Sequence, residues 1–439
     1  MAGEGKLFGT DGIRGHVGDF ITGELAMRVG QAAASAVSAD RPRILIVRDT
    51  RESGPMLEAA LAAGIASVGG DAYLAGILPT PAAPILSRSY GFDMAAVISA
   101  SHNPFGDNGI KLFGRDGGKL DDETESELER LVVDPPGETS ESGSVVELRG
   151  AERDYERYLQ ESFPLDLSGR KIALDCANGA TFRVAPEVFS RLGAEVMSFG
   201  AEPDGRNINA GCGSTSTDFL ASKMSGSGCS IGFAFDGDGD RVLALDSAGE
   251  VHDGDELIAL IATGLEREGS LKGGVSVTVM TNFGFHGAMR DAGIPVEVTQ
   301  VGDRHVYESL IRNDWGLGGE QSGHIIARDY APTGDGIAAA LMTLRCLGDR
   351  DLAGASVMEK LPQELVNVTV PDRDAVIGSE AVIEAIQKAG DELEGRGRVL
   401  VRPSGTEPLV RIMVEAPTAE EAARVCGSLA ELVEQEVGN

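Results

Sequence analysis

Short β-branched runs, polar turns and longer amphipathic stretches recur in the same order along this chain. Ile44-Leu45-Ile46-Val47 has the pattern of a buried strand and Arg48 to Gly54 that of a polar turn. The segment from Pro55 to Gly69-Gly70 follows as a helix closed by glycine, before a new strand at Ala72-Tyr73-Leu74. The unit returns at Lys171 to Asp175, with a turn at Asn178-Gly179, a helix over Ala185 to Leu192 and a strand at Gly193 to Met197. It returns again from Val275 to Val279, through Asn282-Phe283-Gly284 into a helix ending at Ala292-Gly293, then Pro295 to Val298. Parallel strands need a crossover helix between them, so three βαβ units predict three related α/β domains in tandem with mixed sheets.

The loop Asp134 to Gly143 and a bridging helix around Tyr155 to Ser162 separate the first two units. Past Pro362 the pattern changes. Val399-Leu400-Val401 and Val410 to Glu415 flank the turn Arg402 to Pro408, and a helix runs from about Thr418 to Val437, which predicts a smaller C-terminal α+β domain. The expected boundaries are 1–152, 153–253, 254–364 and 365–439.

Composition narrows the function. A chain of 439 residues is too long for one core. Its formal net charge of −31 and the lack of any basic run exclude a nucleic-acid or acidic-membrane partner, because such surfaces recruit clustered lysine and arginine. Eight lysines stand against thirty arginines, and the acid excess marks a very soluble or salt-tolerant surface. Cys176, Cys212, Cys229, Cys346 and Cys426 are scattered and odd in number, which argues against a disulfide framework or structural zinc. The start of the chain lacks an apolar signal core and no run is long enough to span a membrane, so the expected location is cytoplasmic.

Five stretches carry chemistry. Ala96 to Ile98 ends abruptly in Ser99-Ala100-Ser101-His102-Asn103-Pro104, a polar turn at a strand end, where open α/β sheets gather ligands. Ser101 is placed there to act as a nucleophile or phosphoryl carrier, with His102 as a possible base; the absence of a GxSxG elbow disfavours an acyl-transfer triad. Asp236-Gly237-Asp238-Gly239-Asp240-Arg241 follows an apolar strand, and the intervening glycines let three carboxylates turn onto one hard cation. An EF-hand fails, since Arg241 stands where its glycine is required and Ser247 where its glutamate is. Magnesium is the expected ion.

Gly318 to His324 offers Glu320, Ser322 and His324 between glycines, suited to gripping sugar hydroxyls, though a plain Gly-rich connector has the same composition. Arg402 to Pro408 with Arg411 supplies hydroxyls, glycine amides and two guanidinium forks for a phosphate dianion, or is a hairpin turn with incidental arginines. Phe8 to Gly15 is a further Gly-rich turn bearing Arg14, and Lys111 lies ten residues past Ser101. His16, His252, His286 and His305 lack metal-ligand spacing and are expected to be surface or packing residues.

Taken together, Phe8 to Gly15, Ser99 to Pro104, Asp236 to Arg241, Gly319 to His324 and Arg402 to Pro408 match, in order and spacing, the α-D-phosphohexomutase family. The resemblance spans essentially the whole chain. It implies four domains around one central cleft, with phosphoserine at Ser101 and magnesium held by Asp236, Asp238, Asp240 and a phosphate oxygen on Ser101. It also implies a sugar-reading loop at Glu320 and Ser322, and a distal phosphate clamp at Arg402, Ser404, Gly405, Thr406 and Arg411. Gln321 after the glutamate is similar to the branch acting on glucosamine phosphates, whereas Ser216 departs from the histidine common in that branch.

The reaction so implied interconverts glucosamine 6-phosphate and glucosamine 1-phosphate through phospho-Ser101 and a 1,6-bisphosphate, feeding UDP-N-acetylglucosamine and cell-wall precursor synthesis. Glucosamine 1,6-bisphosphate or glucose 1,6-bisphosphate would serve as activator. Lys111, Arg14 or His102 would handle the hydroxyl proton, Arg241 would stabilise charge, and the fourth domain would close as a lid. The resemblance further implies a homodimer and a kinase or self-phosphorylation to prime Ser101. The same chemistry on mannose or glucose phosphates is the alternative within the family, and a non-catalytic phosphosugar sensor the alternative outside it. The charge balance agrees: three aspartates, one magnesium and a phosphoserine leave roughly −3 before a substrate phosphate of about −2 arrives. Arg14, Lys111, Arg241, Arg402 and Arg411 are the cations that could offset it.

Overall fold

The continuous apolar runs become central strands covered on both faces: every residue of Met94–Ile98 and of Ile231–Phe235 is buried. The structure is a computed structural model describing residues 7, 9, 12–137, 139, 141–404 and 408–437. Among these, strands form four sheets. The first has six strands in the order Ile13–His16, Asp107–Phe113, Met94–Ile98, Arg43–Arg48, Asp71–Ile77 and Val145–Glu147. The second orders Val251–His252, Val242–Leu245, Ile231–Phe235, Lys171–Asp175 and Glu195–Phe199. The third orders Val296–Thr299, Val275–Thr278, Leu317–Gly319 and Ile325–Ala327.

One topological feature is common to all three. Met94–Ile98 runs parallel to Arg43–Arg48 but antiparallel to Asp107–Phe113. Ile231–Phe235 is likewise parallel to Lys171–Asp175 and antiparallel to Val242–Leu245. Leu317–Gly319 is parallel to Val275–Thr278 and antiparallel to Ile325–Ala327. The turns after these strands, at 99–106, 236–241 and 320–324, therefore all leave the carboxyl end of a parallel strand and fold back as a hairpin. These are the serine, aspartate and Glu320 stretches.

Local chemistry sets the flanking helices. Asp253 caps Gly254–Arg267 in a full capping box with Glu256, and Asp335 accepts from Ile337 N and Ala338 N at the start of Gly336–Leu347. Ala82–Tyr90 stops at Gly91, whose φ of 68° an L residue seldom adopts. Tyr155 and Tyr330 each donate to the buried Asp335 carboxylate at 2.8 Å, tying the bridging helix Ala151–Ser162 to the third sheet's region.

Two compact units are distinguishable: one runs to Met280 and resumes over Ile294–Ser356, the other comprises Thr281–Gly293 and the chain from Val357 on. In the second, Leu409–Glu415 lies between Gln363–Thr369 and Arg398–Pro403 in an antiparallel sheet. Val410, Ile412 and Val414 pack there with Val425, Cys426 and Leu429 of helix Ala419–Val437. The buried Glu415 carboxylate accepts from Arg398 Nε at 2.7 Å and from Phe283 N at 2.8 Å, which draws helix Phe283–Asp291 into this unit. All five cysteines are buried free thiols, and among the described residues no helix is long and apolar enough to cross a membrane.

Candidate active site

Ser101 stands at the first residues past a fully buried strand, with φ at 52° in the left-handed region, and its side chain is buried. Its Oγ donates to Asp236 Oδ2 at 2.5 Å and lies 3.2 Å from His102 Nδ1. The serine turn and the aspartate turn thus meet. They can do so because position 237 is glycine: a Cβ there would come within 2.5 Å of the Ser101 carbonyl oxygen.

Asp236, Asp238 and Asp240 each offer a carboxylate oxygen within 4.8 Å of the others, and all three are buried. Lys111 Nζ donates to Asp238 Oδ2 at 2.8 Å and lies 3.3 Å from Asp240 Oδ2. Thr80 Oγ1 also donates to Asp238 Oδ2, at 2.7 Å. Burial and the charges of Asp240 and Asp238 hold the Asp236 carboxyl well above its ordinary value. Burial is the largest influence on Asp238 and Asp240 and opposes their ionisation, as does the Asp240 charge at Asp238, but the Lys111 ammonium together with Thr80 at Asp238, and with His324 and Arg241 at Asp240, brings both below the ordinary value.

Whether the cluster suits a metal ion can be tested on its oxygens. Asp238 Oδ1 and Asp240 Oδ1 are buried without a hydrogen-bond partner among the described residues, while the opposite oxygens face Lys111. Buried carboxylate oxygens are costly unless something cationic meets them. Three convergent carboxylates with two such oxygens fit a hard divalent cation, so the aspartate turn is able to hold a metal.

The other expected residues fall into three groups. Arg241 Nε lies 3.9 Å from Asp240 Oδ1, and burial together with the charges of Arg241 and Arg14 lowers the His102 pKa, which brings both arginines to the serine turn. Glu320 Oε1 accepts from Gly302 N at 3.0 Å, and Ser322 is exposed at the tip of its turn. Gln321 Nε2 reaches the capping residue Asp253 at 3.1 Å, so its side chain ties the turn to helix Gly254–Arg267. His324 is drawn inward: Gly334 N donates to its Nε2 at 3.0 Å, and its Nδ1 is 3.7 Å from Asp240 Oδ2, behind the aspartates.

In the C-terminal unit, Arg402 and Arg411 are directly opposite partners on neighbouring strands. Burial and the Arg411 charge lower the Arg402 pKa, an arrangement that an anion would relieve. Ser404 is buried beside them with its N–H on Leu409 O at 2.9 Å. Gly405 and Thr406 lie outside the described residues.

Comparison with known proteins gives the family. The chain matches all four domains described for phosphoglucomutase/phosphomannomutase: alpha/beta/alpha domain I over residues 5–135, domain II over 154–249, domain III over 253–365 and the C-terminal domain over 365–432. The chain belongs to this family. A phosphoglucosamine mutase of Moorella thermoacetica is 48% identical over 436 residues, covering 97% of this chain and 98% of that relative. The fold is also that of a phosphoglucomutase/phosphomannomutase family protein from Burkholderia thailandensis, with a TM-score of 0.80 at 24% identity over 97% of each chain. An Aspergillus fumigatus N-acetylphosphoglucosamine mutase, solved with GlcNAc-6P and magnesium, superposes with a TM-score of 0.69 at 19% identity over 98% of this chain and 96% of its own.

Four further residues around Ser101 and the aspartates, Asp49, Arg51, Thr80 and Asn209, escape a reading of the sequence. Asp49, Arg51 and Asn209 gather under the serine turn, Ser99 links it to Asp49, and Thr80 supports Asp238. Each stands in a polar turn after a strand or in a long connection, but nothing local marks it, because each acts on a loop 50 to 158 positions away.

Proposed function

We propose that this phosphohexomutase interconverts glucosamine 6-phosphate and glucosamine 1-phosphate, with the transferred phosphoryl group carried on Ser101. The observation that carries this reading is the buried Ser101 Oγ at 2.5 Å from Asp236, inside a cluster of three carboxylates. The sugar is supported by the name of the Moorella thermoacetica relative.

Asp236, Asp238 and Asp240 would hold Mg2+, the ion named with the Aspergillus fumigatus structure, with an oxygen of the Ser101 phosphate. When bound, that ion supplies charge neutralisation to the phosphoryl group. The chain does the rest. The bond from phosphorus to Ser101 Oγ breaks as a bond to the free sugar hydroxyl forms, giving a 1,6-bisphosphate. The His102 imidazole, 3.2 Å from Ser101 Oγ, is placed to give a proton to that oxygen as it leaves, while the attacking hydroxyl, in line on the far side of the phosphorus, gives up its proton to a base there. Lys111, Arg14 and Arg241 stabilise charge moving between oxygens. The sugar then presents its other phosphate to Ser101, and the released hydroxyl takes back a proton. Glu320 and Ser322 bind sugar hydroxyls, and in the C-terminal unit Arg402, Ser404 and Arg411 bind a phosphate dianion.

Incubation with glucosamine 6-phosphate, Mg2+ and a catalytic amount of glucose 1,6-bisphosphate tests the proposal. Glucosamine 1-phosphate is expected, with a higher kcat/KM than for mannose or glucose phosphates. No product even with the primer would overturn it.

A further inference from the structure

The Arg51 guanidinium has no exposure at all, yet it makes a hydrogen bond with each of its five N–H groups. Nε donates to Asp49 Oδ2 at 2.8 Å. Nη2 donates to the carbonyls of Ser101 and Asn103, both at 2.9 Å, and Nη1 to those of Asp107, at 3.0 Å, and Pro104. Four carbonyls of one turn are thereby pulled to a single buried cation. Asn209 Nδ2 reinforces two of them, at 2.9 Å to Ser101 O and 3.2 Å to Asn103 O.

The other end of the Ser101 residue is tethered to the same pair. Ser101 N donates to Ser99 Oγ at 2.9 Å, and Ser99 Oγ donates to Asp49 Oδ2 at 2.6 Å. Asp49 also accepts from Arg51 N at 2.9 Å. Both the N–H and the carbonyl of Ser101 are thus fixed by one ion pair in which neither side chain is exposed. Ser101 needs such fixing, because its left-handed φ is one that an L residue holds only when its surroundings impose it.

Two consequences follow for chemistry at Oγ. Turning four carbonyl dipoles inward removes their negative ends from the face on which a phosphoryl group would sit. Fixing both backbone ends also sets the direction of the Cα–Cβ bond, and so where Oγ stands against Asp236. We propose that Arg51, oriented by Asp49, is the positioning residue of the phosphoryl carrier, acting on transfer and not on sugar binding. This rests on Ser101 being that carrier. Lysine keeps the charge but has three donors and no planar fork, so it cannot hold four carbonyls and a carboxylate.

The test is steady-state kinetics of the full-length Arg51→Lys protein beside wild type, with its melting temperature. A small displacement of a reacting group costs on the order of 100-fold in rate. The expected result is a kcat loss of that order with KM changed less than about threefold, together with faster loss of phosphate from phospho-Ser101 to water. A variant that melts lower but keeps wild-type kcat would reduce Arg51 to a structural role and overturn the inference. Should Arg51→Lys not fold, Ser99→Ala decides, since it cuts the Ser101 N–H tether and its link to Asp49 while leaving the Arg51 bonds to the carbonyls in place: a reduced kcat at constant KM supports the inference that the Asp49–Arg51 pair fixes Ser101 for transfer, and an unchanged kcat overturns it. Wild type lacking turnover or phosphate on Ser101 would instead overturn the carrier reading itself.

Discussion

Ser101 Oγ and Asp236 Oδ2 lie 2.5 Å apart although 135 positions separate them in the chain, so the serine turn and the aspartate turn form one site. The hydroxyl is the only group of that residue not committed to holding the backbone. Ser101→Ala is expected to reduce turnover at least about a thousandfold, as loss of a covalent nucleophile does, while phosphosugar affinity measured by calorimetry stays within a few-fold. Full activity would contradict the role given to Ser101.

The Oδ1 atoms of Asp238 and Asp240, buried without a hydrogen bond among the described residues, make a prediction about metal. Chelation should abolish activity and Mg2+ should restore it. Asp240→Asn should weaken Mg2+ binding, titrated calorimetrically, by at least about tenfold, because it removes one of three converging charges. Equal affinity in the variant would mean that the ion, if bound, sits elsewhere.

Arg402 and Arg411 face one another with like charge, which destabilises paired strands by about 0.2–1 kcal/mol. Arg402→Gln should therefore leave the melting temperature unchanged or slightly raised. It should also shrink the stabilisation that inorganic phosphate gives the wild type and raise KM for the phosphosugar about tenfold or more. A variant that melts lower and binds phosphate as before would contradict an anion site there.

Asp175 offers a pH signature distant from the aspartate cluster in sequence. Its buried carboxylate accepts from Gly213 N at 2.6 Å and Ala177 N at 3.0 Å, but burial dominates and pushes its pKa up to about 6. Below about pH 4 the group is protonated in both folded and unfolded chains. Between there and pH 6 the folded chain keeps the proton that the unfolded chain has lost, so stability falls as pH rises, by up to roughly 3 kcal/mol, and is flat above. Denaturant titrations of wild type and Asp175→Asn should show the variant gaining on wild type between pH 4 and 7. A gap that is independent of pH would refute this.

Much of this was legible in the chain because local pattern and chemistry coincided. Apolar runs such as Met94–Ile98 and Ile231–Phe235 fix buried parallel strands, and the glycines of Asp236 to Arg241 announce a turn that only converging carboxylates would need. What was not legible depends on tertiary distance. Arg48 to Arg51 looks like any polar turn until the Ser101, Asn103, Pro104 and Asp107 carbonyls are seen around the Arg51 guanidinium. His324 and Gln321 sit in a stretch whose composition suits a ligand. The side chains go instead to Gly334 and Asp253, inside the protein, and composition gives no sign of which way a side chain turns.

Whether Ser101 carries the phosphoryl group is decided by peptide-level mass spectrometry of the purified protein. A phosphate-sized increment is expected on the peptide containing Ser101 after incubation with glucose 1,6-bisphosphate, lost again when excess glucosamine 6-phosphate is added. An unmodified Ser101 peptide throughout, alongside measurable mutase activity, would contradict it.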